Sequence, residues 1–293
     1  MKRLLPLLFA ASLVFAEGDE TSYSYWDFHP IHVGGNLLRI GGAGVSDTPF
    51  GGDLYYRKTN AFLYVLVPIT RTSYFFPRIE YNTFTLDWNK NPRFKQDHFH
   101  YAQFALTFYS TGLDTWKWIA RGEYNLDIEH FNRPFQYGLF SALLWGAHQI
   151  HRKWHYHIGA LGYTGMEGEE VYPVIGADYS PNSHWTFLAL FPIDYNIQYK
   201  PTDRWRLSLK GRPLRERFRT NDHQAHPRSV FNYSTTGLEF NVHYEIPLRL
   251  EVEFYGGYNF GGNFYIKDSD GSNPLYTSIG GAPYGGLVID WGI

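Results

Sequence analysis

The run Trp116-Lys117-Trp118-Ile119-Ala120-Arg121-Gly122-Glu123-Tyr124-Asn125-Leu126-Asp127-Ile128-Glu129 sorts its chemistry by parity. The even positions Trp116, Trp118, Ala120, Gly122, Tyr124, Leu126 and Ile128 make an apolar row. The odd positions Lys117, Ile119, Arg121, Glu123, Asn125, Asp127 and Glu129 hold the charge. Successive side chains of a strand point to opposite faces, so a period of two specifies a strand with one greasy and one ionic wall. The pattern returns with Leu238, Phe240, Val242, Tyr244 and Ile246 against Glu239, Asn241, His243 and Glu245. It returns again with Leu248, Leu250, Val252 and Phe254 against Arg249, Glu251 and Glu253. Trp205, Leu207 and Leu209 alternate with Arg204, Arg206, Ser208 and Lys210.

Composition agrees with an all-β reading. The 293 residues include 24 Tyr, 23 Phe and 9 Trp, with 26 basic and 28 acidic side chains and no Cys. A net charge of −2 excludes a generally basic nucleic-acid binder. Without Cys there are no disulfides and no thiolate chemistry. Mean hydropathy is −0.36, and no uninterrupted apolar run reaches the length of a membrane helix. Alternation explains that value, because averaging two faces hides the apolar one.

Turn-forming residues divide the chain into fourteen expected strands: 31–42, 53–69, 72–88, 98–110, 115–129, 134–150, 154–165, 171–180, 184–191, 194–200, 203–211, 230–246, 248–258 and 284–293. A twelve-strand alternative fuses 184–200 and drops 31–42. With fourteen strands, the longer connections 89–97, 165–170, 212–229 and 259–283 all fall at one end. Outer-membrane barrels combine short periplasmic turns, long external loops and an even strand number. Between Asn82 and Phe84 the apolar face slips by one position, which suggests a β-bulge.

Alternation does not say which face is wet. Trp88, Trp116, Trp154, Trp185, Trp205 and Trp291 sit near strand ends, where interfacial girdles belong, and the ionic faces carry both signs. With Pro247 at a turn centre, Glu245 would lie opposite Arg249 and His243 opposite Glu251. The expected fold is a single transmembrane antiparallel up-and-down β-barrel of 12–14 strands over 17–293, with the greasy face to lipid. A secreted soluble β protein is the alternative. Residues 1–16 read as a secretory signal: Lys2 and Arg3, an apolar stretch Leu4 to Ala16, and Val14-Phe15-Ala16 before the expected cleavage.

The last residues, Gly286-Leu287-Val288-Ile289-Asp290-Trp291-Gly292-Ile293, resemble the terminal strand of Gram-negative outer-membrane β-barrels. Gly286, Ile289, Trp291 and Ile293 are its insertion signature, with Ile293 where that family usually has an aromatic residue. This resemblance implies export through the periplasm, placement in the bacterial outer membrane, and contact with the barrel-insertion machinery, lipid and lipopolysaccharide. Tyr172 to Gly176, Trp185 to Pro192 and Tyr195 to Tyr199 also resemble an uncharacterised barrel family without assigned activity.

Few residues carry chemistry. His148, His155 and His157 flank a turn and would all project inward as a weak metal candidate, and His98-Phe99-His100 is weaker still. Arg212, Arg215, Arg217 and Arg219 fall in an expected external loop that could touch lipopolysaccharide phosphates or narrow a pore. No His-x-Ser occurs, Asp97-His98 and Asp222-His223 point apart if extended, and Asp268-Ser269-Asp270-Gly271 reads as a turn rather than a calcium loop, with no Glu at the right place. No catalytic residue, cofactor or nucleic-acid partner is expected. The leading expectation is a passive pore or small-solute transport protein. Its lumen would be lined by Lys117, Arg121, Glu123, Asp127, Arg204, Arg206, Lys210, Glu239, His243, Glu245, Arg249, Glu251 and Glu253. A surface-binding barrel acting through external loops, and less so a barrel hydrolase, are the alternatives.

Overall fold

The computed structural model describes residues 30–45, 51–91, 95–113, 115–166, 168–224, 226–247 and 249–293. The expected signal at 1–16 lies outside them. Fourteen strands follow in chain order. They are β1 (Ile31–Val45), β2 (Gly51–Val65, continued as Val67–Thr70), β3 (Ser73–Lys90), β4 (His98–Leu113) and β5 (Trp116–Asp127). Next come β6 (Gly138–His151), β7 (Trp154–Gly165), β8 (Gly168–Asn182), β9 (Trp185–Phe191) and β10 (Asp194–Thr202). The last are β11 (Trp205–Arg219), β12 (Val230–Ile246), β13 (Leu250–Lys267) and β14 (Leu275–Ile279 with Ala282–Gly292). Each pairs antiparallel with its neighbour in sequence, and β14 closes on β1 from His32↔Gly292 to Ile40↔Tyr284. Closure leaves no continuous free edge, the condition a bilayer imposes on any sheet that crosses it. The molecule is an all-β, up-and-down fourteen-stranded barrel.

The closing seam depends on one glycine. The Tyr255 ring lies over Gly286, and its hydroxyl donates to Asn36 Oδ1 (2.9 Å) and to the Leu37 carbonyl (3.0 Å). A Cβ on Gly286 would run into that ring and into the Leu37 carbonyl oxygen. Gly286→Val should destabilise the barrel by about 1–3 kcal/mol, the usual cost of overpacking. A thermal midpoint by heat-modifiable gel migration checks this, and an unchanged midpoint would show that the seam tolerates the side chain.

Through the central band the barrel is greasy outside. Ile79, Leu106, Leu144, Ile158, Ile175, Phe240 and Phe254 are exposed on its outer face, whereas Glu80, Glu123 and Glu239 are buried inside. Trp154, Trp185, Trp205 and Trp291 ring the short-turn end on the outside. Towards the other end the arrangement inverts. On β1 to β4, Leu38, Ile40, Tyr56, Phe84, Leu86, Phe99 and Tyr101 turn inward and are buried, while Arg39, Arg57, Asp87 and His98 face out. This inversion is the physical reason for the slip at Asn82–Phe84. The β2–β3 ladder runs without interruption from Lys58↔Phe84 to Asn60↔Asn82, so no bulge exists there. Trp88 likewise points in, edge-on to Phe264 at 4.4 Å, and belongs to no girdle.

Two further sequence expectations are corrected. Residues 212–219 and 259–267 are strand, not loop, because β11 and β12 pair out to Arg219↔Val230 and β12 and β13 to Val230↔Lys267. The β12–β13 turn sets Glu245 opposite Glu251 and His243 opposite Glu253, two residues away from the expected register.

The wall has a step. The β9–β10 hairpin is short, so β8 loses its partner above Ile175 and β11 loses its partner above Gly211. Pro173 and Pro213 lie on these two edges, where the missing N–H costs no ladder bond.

Candidate functional site

Freed from β10, the outer part of β11 and the start of β12 fold over the barrel mouth. Phe218 of β11 packs against Phe84 and Phe99 on β3 and β4, with ring centroids 4.9 and 5.0 Å apart. Those strands stand about half the circumference away, so the contact spans the mouth. Tyr233 of β12 stacks on Tyr56 of β2 at 5.2 Å, and Phe231 packs on Phe264 at 5.3 Å. An aromatic plug built from the β11–β12 hairpin therefore spans the barrel at this end.

Polar contacts hold the hairpin on every side. Lys58 donates to Glu216 at 3.0 Å. Across the step, Arg215 and Arg217 both donate to the Glu170 carboxylate, and Tyr172 adds a hydroxyl bond to it. Arg217 also donates to the Gly165 and Gly168 carbonyls near the β7–β8 turn. At the tip, the Lys95 amide donates to Gln224, Asn221 donates to Glu129, and Arg133 meets Asp222 at 2.9 Å. Slight desolvation pushes the Asp222 carboxyl up, but Arg133, Tyr137 and Arg228 outweigh it and hold the group below the usual carboxylate range.

Beneath the plug lie two cavities. The upper one, about 190 Å³, lies between β11 and the walls of β1 to β7 and is lined by Arg121, Glu123, Trp145, Tyr163 and Phe218 among others. The lower one, about 70 Å³, is lined by Arg206, Lys210, His243, Glu251, Glu253 and Asp290. Asn60 and Arg78 line both and stand at their divide. Asn60 donates to Glu80 at 2.8 Å and Arg78 meets the same carboxylate at 2.6 Å. Opposite charges also meet in Arg121–Glu123 (2.7 Å), Arg212–Glu239 (2.6 Å) and Lys210–Glu253 (3.5 Å). A buried charge needs such a partner, because desolvation alone costs several kcal/mol per ion.

Of the expected lumen residues, Lys117, Arg121, Glu123, Asp127, Arg206, Lys210, Glu239, His243, Glu251 and Glu253 lie on inward positions. Arg204 and Arg249 occupy exposed turns at the short-turn rim, with Glu245 exposed beside them. His243 keeps a looser contact with Glu251, at 3.6 Å. The expected loop arginines are inside: Arg212, Arg215 and Arg217 line the upper cavity, and Arg219 reaches the Arg228 carbonyl. Sequence reasoning missed Lys58, Arg78, Glu80, Glu170 and Glu216. The parity of Arg78-Ile79-Glu80-Tyr81-Asn82 could have given two of them.

The histidine trio is not assembled. His148 pairs with Tyr156 and stacks on Trp116 at 4.7 Å, on the outer face. His155 and His157 face inward and share one carboxylate, Asp178, at 2.8 and 2.9 Å. No cluster of three metal-ligating side chains occurs among the described residues. Asp97 and His98 do meet, at 2.8 Å, because Asp97 precedes the strand, and both are over half exposed. The histidine bond holds the Asp97 carboxyl below its ordinary value. The expected insertion residues Ile289, Trp291 and Ile293 are exposed on the outer face, whereas Gly286 faces in beneath Tyr255.

No protein-family model matches the chain. It is 25% identical over 195 residues to an uncharacterized protein of Chlamydia pneumoniae, a match covering 65% of this chain and 60% of that protein's length. It is 20% identical over 249 residues to an uncharacterized protein of Chlamydia trachomatis serovar D, covering 80% and 78%. Among solved structures, an outer-membrane channel from Pseudomonas putida F1 superposes with a TM-score of 0.52 at 8% identity, over 94% of this chain and 100% of that one. At that identity the likeness is one of fold: a β-barrel of the outer-membrane channel type.

Proposed function

We propose that the protein is an outer-membrane channel that passes small polar solutes through a charged lumen and is gated by its β11–β12 hairpin. The observation that carries this reading is the plug spanning the mouth above two cavities lined by ions of both signs. Eight-stranded barrels fill their interiors and sixteen-stranded ones leave aqueous channels, so fourteen strands leave room that an added element must close. Here that element stays laddered to β13 along one side but meets the opposite wall without a strand ladder, so its contacts there can be exchanged while the β12–β13 side acts as the hinge. Passage then consists of lifting the hairpin and moving between the Arg78–Glu80 divide and the facing wall.

Selectivity follows from the lumen charges. Arg206→Glu with Lys210→Glu reverses two positive positions lining the lower cavity. In planar bilayers, the double variant should shift the anion-to-cation permeability ratio several-fold towards cations. If neither the wild type nor a hairpin-deleted barrel conducts, the protein is no channel.

A further inference from the structure

The inverted half of the barrel places two arginines where their charges oppose each other. Arg39 on β1 and Arg57 on β2 are direct cross-strand partners, both exposed on the outer face. Cβ atoms of such partners stand roughly 5 Å apart, and like charges directly opposite are destabilising. Every ionic pair described inside the lumen is compensated, yet among the described residues neither Arg39 nor Arg57 has a carboxylate within ion-pair distance. Asp87 comes near only diagonally, since it pairs with Tyr55 while Arg57 pairs with Thr85.

Their height on the wall says what could compensate them. Below them on the same outer face lie Leu37, Val33 and Leu63, all exposed and apolar. Above them lie Asp53 and Tyr55. The arginines therefore stand at the upper border of the greasy belt. Beside Arg39 the wall is bare: its partner on β14 is Gly285, whose own partner on β13 is Gly256. This leaves a flat shelf between the guanidiniums and the exposed rings of Phe254 and Tyr258. Paired guanidiniums supply forked donors that match a phosphate, and an adjoining flat apolar surface suits a lipid's upper chain segments.

We propose that Arg39 and Arg57 form a binding site for the phosphate of an outer-leaflet lipid, with the Gly285–Gly256 shelf receiving the first part of its acyl region. The proposal rests on the outer-membrane reading but not on transport, so a non-conducting barrel would leave it standing. The sequence had pointed to Arg212–Arg219 for this contact; the fold turns those residues inward and offers this pair instead.

The test uses the folded barrel in polyoxyethylene micelles, with folding confirmed by heat-modifiable migration. Bisphosphorylated lipid A, phosphatidylcholine and inorganic phosphate serve as probes, with native mass spectrometry counting bound lipid. Lipid A should be retained at least tenfold more tightly by the wild type than by Arg39→Gln/Arg57→Gln, and phosphatidylcholine should show no such difference. A second readout is the sign of the stability change. Without anionic lipid the double variant should melt higher than the wild type, because the repulsion is gone; with lipid A it should melt lower. Equal lipid A retention by both proteins overturns the site. Inorganic phosphate that binds as well as lipid A overturns the lipid assignment, since the shelf would then contribute nothing.

Discussion

Replacing Glu170 with glutamine should raise the open probability of the reconstituted barrel by about 30- to 150-fold. The carboxylate accepts from Arg215, Arg217 and Tyr172, and the side chains of the two arginines are 16% and 8% exposed. Glutamine keeps the size but leaves both guanidiniums facing a neutral amide. Removing one member of a desolvated charge pair costs about 2–5 kcal/mol. Water at the barrel mouth lowers that figure to about 2–3 kcal/mol, which gives the stated range at about 1.4 kcal/mol per decade. The penalty falls on the closed state, because in the open state the arginines are solvated. Single-channel recording checks this. An open probability within twofold of wild type would mean that the step across β8 and β11 is no latch.

Phe218→Ala should loosen the same hairpin by about 3–5 kcal/mol, the usual loss when a buried phenylalanine is truncated. The ring touches Phe84, Phe99, Tyr101 and Phe231, and it is 1% exposed. The effect should be local. Amide exchange over 212–235 should accelerate by about two to three and a half decades, at about 1.4 kcal/mol per decade, whereas β5 to β8 should keep wild-type protection, since their ladders do not involve the plug. Uniform acceleration over all strands would show that plug and wall unfold as one unit, and the gate would then lose its physical basis.

The barrel was legible in the sequence wherever lipid imposed parity. Phe240 and Glu239 were placed on the correct faces because only one of them tolerates acyl chains. The seam residues Ile289 and Trp291 were legible for the same reason. Legibility failed where no bilayer constrains the outside. Phe84 and Leu86 follow the opposite parity from Ile79 and Tyr81, and a change of surroundings looks in sequence like a change of register. Arg215, Glu216 and Arg217 read as a solvated loop because their partners, Glu170 and Lys58, are dozens of residues distant. His148 was misplaced because the ladder shifts between Gln149 and His151, which moves it one face away from His155 and His157.

The reversal of polarity along the axis also fixes immersion depth. Sinking the barrel by one strand residue would drag Arg39, Arg57 and Asp87 towards oil, and raising it would lift Leu37 into water. Both displacements are uphill, so the protein carries its own waterline. Above that line the barrel packs an aromatic core around Phe84, Phe99, Phe218 and Phe231, as an ordinary globular domain does. One set of strands therefore serves two surroundings, greasy outside along its lower part and greasy inside along its upper part.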